Sequence, residues 1–182
     1  MESLLEQYPD HATLSATLAH REIADVSEWS PPDAAFVDWL RANEVPPSVL
    51  GLLRIGMPRG VGAAIGWWRI WGPQELVARS QDTPSILRSR LLGVGACLNG
   101  DPIVIDLDGP LAGAVCYIDH ERFWETDSSA PRRYLRYVSC DWTAFLVGVA
   151  KDALPLDAYQ TWSGVNRRGD WTYSRRVGAG GR

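Results

Sequence analysis

Residues 91–119 constrain the fold more than any other stretch. The apolar run 91–98 meets Asn99-Gly100 and is followed by a second apolar run, 102–107. Asn-Gly between two such runs is a hairpin signal, because a two-residue type I′ turn needs φ > 0 at both central positions. In the return run Ile103, Ile105 and Leu107 share one face, and Val104 and Asp106 share the other. Asp108-Gly109-Pro110 supplies the next turn, and 113–118 reads as a third strand. A three-stranded antiparallel meander is therefore expected, with 134–138 as a fourth local strand.

Helical signals flank this unit. Ser30 can cap a helix that Pro31 and Pro32 start and that ends near Asn43, with Phe36, Val37 and Leu40 on one face. Val49, Leu50, Leu52 and Leu53 form the apolar side of a short helix after Pro46-Pro47. Trp67-Trp68-Arg69-Ile70-Trp71 reads as an aromatic strand, and Gly72-Pro73 as a turn into a short helix. Ser139 reads as the cap of a closing helix with Trp142, Phe145, Leu146 and Val149 at helical spacing to about Ala153. The Gly-rich stretch 60–66 lacks the Lys-Ser/Thr ending of a phosphate loop and the spacing of a dinucleotide fingerprint. The expected fold is α+β, a single antiparallel or mixed sheet with helices packed on it. We divide the chain into a helical extension (1–44), a core (45–155) and a tail (156–182) that packs in part and frays at its Gly-rich end.

At 182 residues the chain suits one domain able to bury about 70% of its unfolded surface. No apolar run approaches the ~20 residues of a membrane helix. The start has neither a basic n-region nor an apolar h-region, so a cytoplasmic protein is expected. A net charge of −4 argues against nucleic-acid binding, which needs clustered Lys and Arg. Cys97, Cys116 and Cys140 match no metal-ligand spacing and read as free buried thiols. Neither metal nor cofactor is expected.

Charge is unevenly spread. Residues 97–127 carry seven acids and one Arg, and 131–182 carry nine bases and four acids. The acids admit turn roles, a surface for a basic partner, or a metal site. On the partner reading, Asp101, Asp108, Asp119, Glu121 and Glu125 form an acidic binding face, and Trp124, among Glu121, Glu125 and Asp127, is the aromatic suited to anchor it. Asp119-His120-Glu121 is the one place where a His has a carboxylate on both sides, so a small hydrolase using Asp106, Asp119 and His120 is a further reading. No nucleophile motif accompanies it.

Four stretches resemble the SUKH superfamily, which includes yeast cell-wall synthesis regulators of the Smi/Knr type and bacterial immunity proteins. They are Val45-Pro46-Pro47-Ser48-Val49-Leu50, Trp68-Arg69-Ile70-Trp71-Gly72-Pro73-Gln74-Glu75-Leu76, Gly95-Ala-Cys-Leu-Asn-Gly-Asp-Pro-Ile-Val-Ile-Asp106, and Val138-Ser139-Cys140-Asp141-Trp142-Thr143-Ala144-Phe145-Leu146. The resemblance spans roughly 45–150. Arg54-Ile55-Gly56-Met57-Pro58 departs from it, standing where the family has Asn-Gly. The resemblance implies a non-catalytic binding protein, an immunity protein that occludes a cognate toxin, or else an intracellular regulator or scaffold of the same fold. Toxins that act on nucleic acid are often basic, so the acidic excess would then face the toxin.

Overall fold

A computed structural model of the chain describes Trp29 and residues 32–53, 57–126 and 129–158. Its frame is one six-stranded antiparallel sheet whose spatial order follows the chain, β1 to β6. The strands are β1 (Gly62–Ile65), β2 (Trp68–Trp71), β3 (Leu91–Cys97), β4 (Pro102–Asp106), β5 (Val115–Ile118) and β6 (Leu135–Ser139). Six helices accompany it among the described residues: α1 (Ala34–Ala42), α2 (Pro47–Leu53), α3 (Pro73–Asp82), α4 (Pro84–Arg88), α5 (His120–Thr126) and α6 (Trp142–Ala150). The fold is α+β, as the hairpin and helix signals required.

Alternation along the strands builds two cores. Ile70, Leu92, Val94, Ile103, Ile105, Val115 and Tyr117 point to the first face. There they meet Phe36 and Leu40 of α1, Val49 and Leu53 of α2, and Trp142, Phe145, Leu146 and Val149 of α6. Tyr117 is buried, but its hydroxyl is satisfied: it accepts from Trp68 Nε1 at 2.8 Å and donates to the Pro155 carbonyl at 2.7 Å. The chain after α6 is thereby held to the sheet. Leu91, Val104, Cys116 and Ile118 point to the second face and meet Ile86 of α4 and Phe123 of α5.

Several local expectations change. Asn99-Gly100 does turn the chain between antiparallel strands, but through a three-residue loop, Leu98-Asn99-Gly100. The Gly100 N–H bonds the Cys97 carbonyl at 2.9 Å, and the Cys97 N–H bonds the Asp101 carbonyl at 2.8 Å. Of the pair, Gly100 alone has positive φ, at 101°. This is the turn-plus-bulge hairpin rather than type I′. Asp33, not Ser30, caps α1, and Asp141, not Ser139, caps α6. Each carboxylate accepts the N–H three residues on, 2.8 Å from Phe36 and 2.7 Å from Ala144. The first strand lies inside the Gly-rich stretch. The weak helix expected before residue 29 and the aromatic tail beyond 158 lie outside the described residues.

Candidate functional site

Between α3, α4 and α5, the second face carries a cleft of about 300 Å³. Strand pairing explains its floor. Arg69 pairs with Ala96, and Ala96 with Pro102, so one cross-strand row runs Arg69–Ala96–Pro102. Trp71 lies along β2 on the same side as Arg69. A β-carbon on Gly93 would stand 3.0 Å from the Trp71 ring, so this glycine makes room for the indole. Ile86 and Leu87 of α4 and Arg79 of α3 form one wall.

Trp124 of α5 forms the opposite wall. Its neighbour Phe123 is fully buried, and their ring centroids lie 4.5 Å apart. Phe123 thus fixes the helix while Trp124 stays 54% exposed. The indole also borders a second, wider cleft beside Asp82, Arg88 and Ser129. A large, half-exposed aromatic between two clefts is a form that interface anchors commonly take.

Arg69 and Arg79 are the charged residues lining the first cleft. Arg79 gives its Nε to Glu75 at 2.8 Å. The Arg69 side chain is exposed and makes no ion pair or hydrogen bond among the described residues.

The acids expected to form one surface are instead divided among different tasks. Asp101 is 2% exposed, so it is not a surface group. Its Oδ1 accepts from the His120 backbone N–H at 3.0 Å and faces His120 Nδ1 at 2.6 Å. Its Oδ2 accepts from Asn99 Nδ2 at 3.0 Å and from the Ala158 N–H at 2.8 Å. A carboxylate offers lone pairs, so the imidazole presents its Nδ1–H. Burial pushes this carboxyl up, but the bonds from His120, Ala158 and Asn99 outweigh it and hold the group below the usual carboxylate range. Asp101 therefore ties the β3–β4 hairpin, the start of α5 and the chain at Ala158 together.

Asp106, on the strand face opposite Ile103 and Ile105, is 1% exposed. Both its oxygens accept from Arg132 at 2.9 Å, and it also takes the Tyr137 hydroxyl at 3.0 Å and the Asp108 N–H at 3.1 Å. Arg132 further bonds the Ser89 carbonyl at 3.0 Å. The second face is covered at this point, so alternation places Asp106 in a core, where only a charge-assisted network makes it tolerable. The neighbouring Tyr137 hydroxyl is pushed up by burial and by the nearby Cys116 and Asp106.

Asp108 is exposed and caps its own turn through the Gly109 N–H at 2.8 Å. Asp119 is mostly covered and pairs with Arg122 Nε at 3.4 Å. Glu121 is exposed. The Glu125 side chain and Asp127 lie outside the described residues.

Asp119 and His120 border one cleft, together with Asn99, Asp101 and Asp157. Asp106 is not among its lining residues and is bound instead to Arg132 and Tyr137. Cys97 and Cys116 are buried thiols that burial pushes up, whereas Cys140 is exposed, contrary to the expectation for all three. Among the described residues no group of three or more His, Cys, Asp or Glu is placed to hold a metal ion, and no helix is long and apolar enough to cross a membrane.

Sequence reasoning singled out Trp124 but missed Arg69 and Trp71 as cleft residues. The signal was present in the alternation Trp68-Arg69-Ile70-Trp71, which puts Arg69 and Trp71 opposite the buried Trp68 and Ile70. No protein-family model matches the chain, and no curated protein matches it.

Proposed function

We propose that this chain is a non-catalytic protein-binding domain and that its partner contacts the second sheet face around Trp124. The observation that carries this reading is the half-exposed Trp124 indole, held by buried Phe123 at the edge of an apolar-floored cleft. The SUKH resemblance gives the partner: a cognate bacterial toxin, neutralised by occlusion in the cytoplasm. The same surface would serve a regulator or scaffold of this fold with another protein partner. A hydrolase reading has a weaker basis. The His120–Asp101 pair has acid–base geometry, but Asn99, Asp119, Glu121, Arg122 and Asp157 around it supply no hydroxyl or thiol nucleophile.

The test is co-expression. Products of the genes adjacent to this one are expressed in a host, with this chain or with its Trp124→Ala variant. A growth-arresting product that the wild-type chain neutralises in a stable complex, and the variant neutralises poorly, is the expected result. Absence of any such product would remove the toxin assignment and leave the regulator. A toxin neutralised equally well by the variant would place the binding face elsewhere.

A further inference from the structure

The acidic excess in the sequence suggested a basic partner. The cleft has the opposite sign. In a chain of net charge −4, its charged lining residues are both arginines. Arg69 is free of internal partners among the described residues, and Arg79 engages Glu75 only through Nε. Around them, the half-exposed Trp124 forms an apolar wall, and Ala96 with the buried Pro102 and Trp71 (8% exposed) forms an apolar floor.

A guanidinium beside an apolar floor is well suited to take a carboxylate through two parallel N–H···O bonds. The space, about 300 Å³, is at the small end for ligand sites. It accommodates one or two side chains and not a folded surface.

We propose that this cleft receives an acidic segment of the partner protein. An Asp or Glu pairs with Arg69, and an adjoining apolar side chain lies between Trp71 and Trp124. The inference rests on the protein-binding reading above and adds the chemistry of what is bound. Charge complementarity selects the occupant: Glu75 offsets Arg79 in part, but among the described lining residues no carboxylate faces Arg69, so a basic segment would meet an uncompensated arginine.

The probe is a displayed library of short random peptides selected on the full-length chain. Binding of the selected peptides is then measured on the wild type, Arg69→Glu and Trp124→Ala. The Arg69 side chain makes no internal bond among the described residues, so its variant should fold, and matched melting curves check this. Peptides rich in Asp and Glu beside an apolar residue are expected, weakened about tenfold or more by each substitution. Neutral or basic peptides that still need Trp124 would overturn the acidic assignment while leaving the cleft as the binding site. Acidic peptides indifferent to both substitutions, or no enrichment, would overturn the proposal.

Two other occupants have their own signatures, and either would overturn the partner assignment. Displacement of the selected peptides by a synthetic peptide of residues 1–28, which hold six acids and one Arg, would assign the cleft to this chain's own start. Self-association abolished by Arg69→Glu would assign it to a second copy.

Discussion

The two faces of the sheet are made by the same strands and differ in almost everything else. The first face presents large aliphatic and aromatic side chains to α1, α2 and α6, and its residues are almost wholly buried. The second presents Arg69, Gly93, Ala96, Pro102 and Asp106 between its apolar residues. Dispersion and area burial close the first face without direction. The second is held by directed bonds from Asp106, Arg132 and Tyr137, and part of it stays open. On the proposed function, recognition falls on the side of the sheet opposite the larger core. That separation implies that substitutions should sort by face.

The largest loss is expected on the first face. Phe145 and Leu40 are fully buried in its core. Phe145→Ala should cost about 3–5 kcal/mol and Leu40→Ala about 2–5, read from urea unfolding midpoints. A cost under about 1 kcal/mol would mean that the first face is not the main source of stability.

Next comes the ion pair that closes the second face. Asp106→Ala leaves Arg132 without its partner, and Arg132→Ala leaves a buried carboxylate. Breaking such pairs costs about 3–5 kcal/mol, and the 39% exposure of the Arg132 side chain moves both variants toward the lower value. The double variant should be less damaged than the sum, because no uncompensated charge remains. Additive losses would show that the pair is not coupled.

Asp101 should give a smaller loss that depends on pH. Its folded-state carboxyl titrates below the ordinary value of about 3.9. The unfolded state therefore binds the proton first as pH falls. The stabilisation is complete above about pH 5 and disappears as pH drops through the folded value. Asp101→Asn keeps the shape but loses the charge-assisted bonds to His120 and Ala158. It should cost about 1.5–3 kcal/mol at neutral pH and little in acid. Parallel stability–pH curves for wild type and variant would remove Asp101 from this role.

The first face was legible in the sequence because its signals repeat. Phe145, Leu146 and Val149 recur at helical spacing, and Ile103, Ile105 and Leu107 at strand spacing. The second face was not, because its key residues act through partners distant in the chain. Asp106 has the sequence signature of a solvent-facing strand residue, and only the return of Arg132 and Tyr137 buries it. Asp101 sits in a turn motif, yet its bond to Ala158 spans 57 residues. No helix is expected from the sequence at 120–126, where the structure has one. That masked how Phe123 goes inward and Trp124 outward at successive positions. The acidic cluster was counted correctly along the chain, but counting cannot tell a carboxylate consumed by the fold from one left for a partner.

The smallest effect on stability should accompany the largest effect on binding. Trp124 is 54% exposed, and Arg69 is exposed with no internal bond among the described residues. Truncating either removes little buried area and leaves no buried polar group unpaired. Trp124→Ala and Arg69→Ala should each change unfolding free energy by about 0.5 kcal/mol or less. At an interface the same indole becomes covered on its remaining side, where hot-spot truncations cost about 2 kcal/mol or more. The two measurements together test the division between faces: equilibrium unfolding for the first quantity, and dissociation kinetics with the cognate partner for the second. Trp124→Ala should speed dissociation, while Arg69→Ala should also slow association and lower its dependence on salt, because a charge acts on encounter and an apolar anchor does not. If either variant instead unfolds far more easily than the wild type, then its side chain belongs to the fold. The cleft would then be part of the second core and not a surface kept open for a partner.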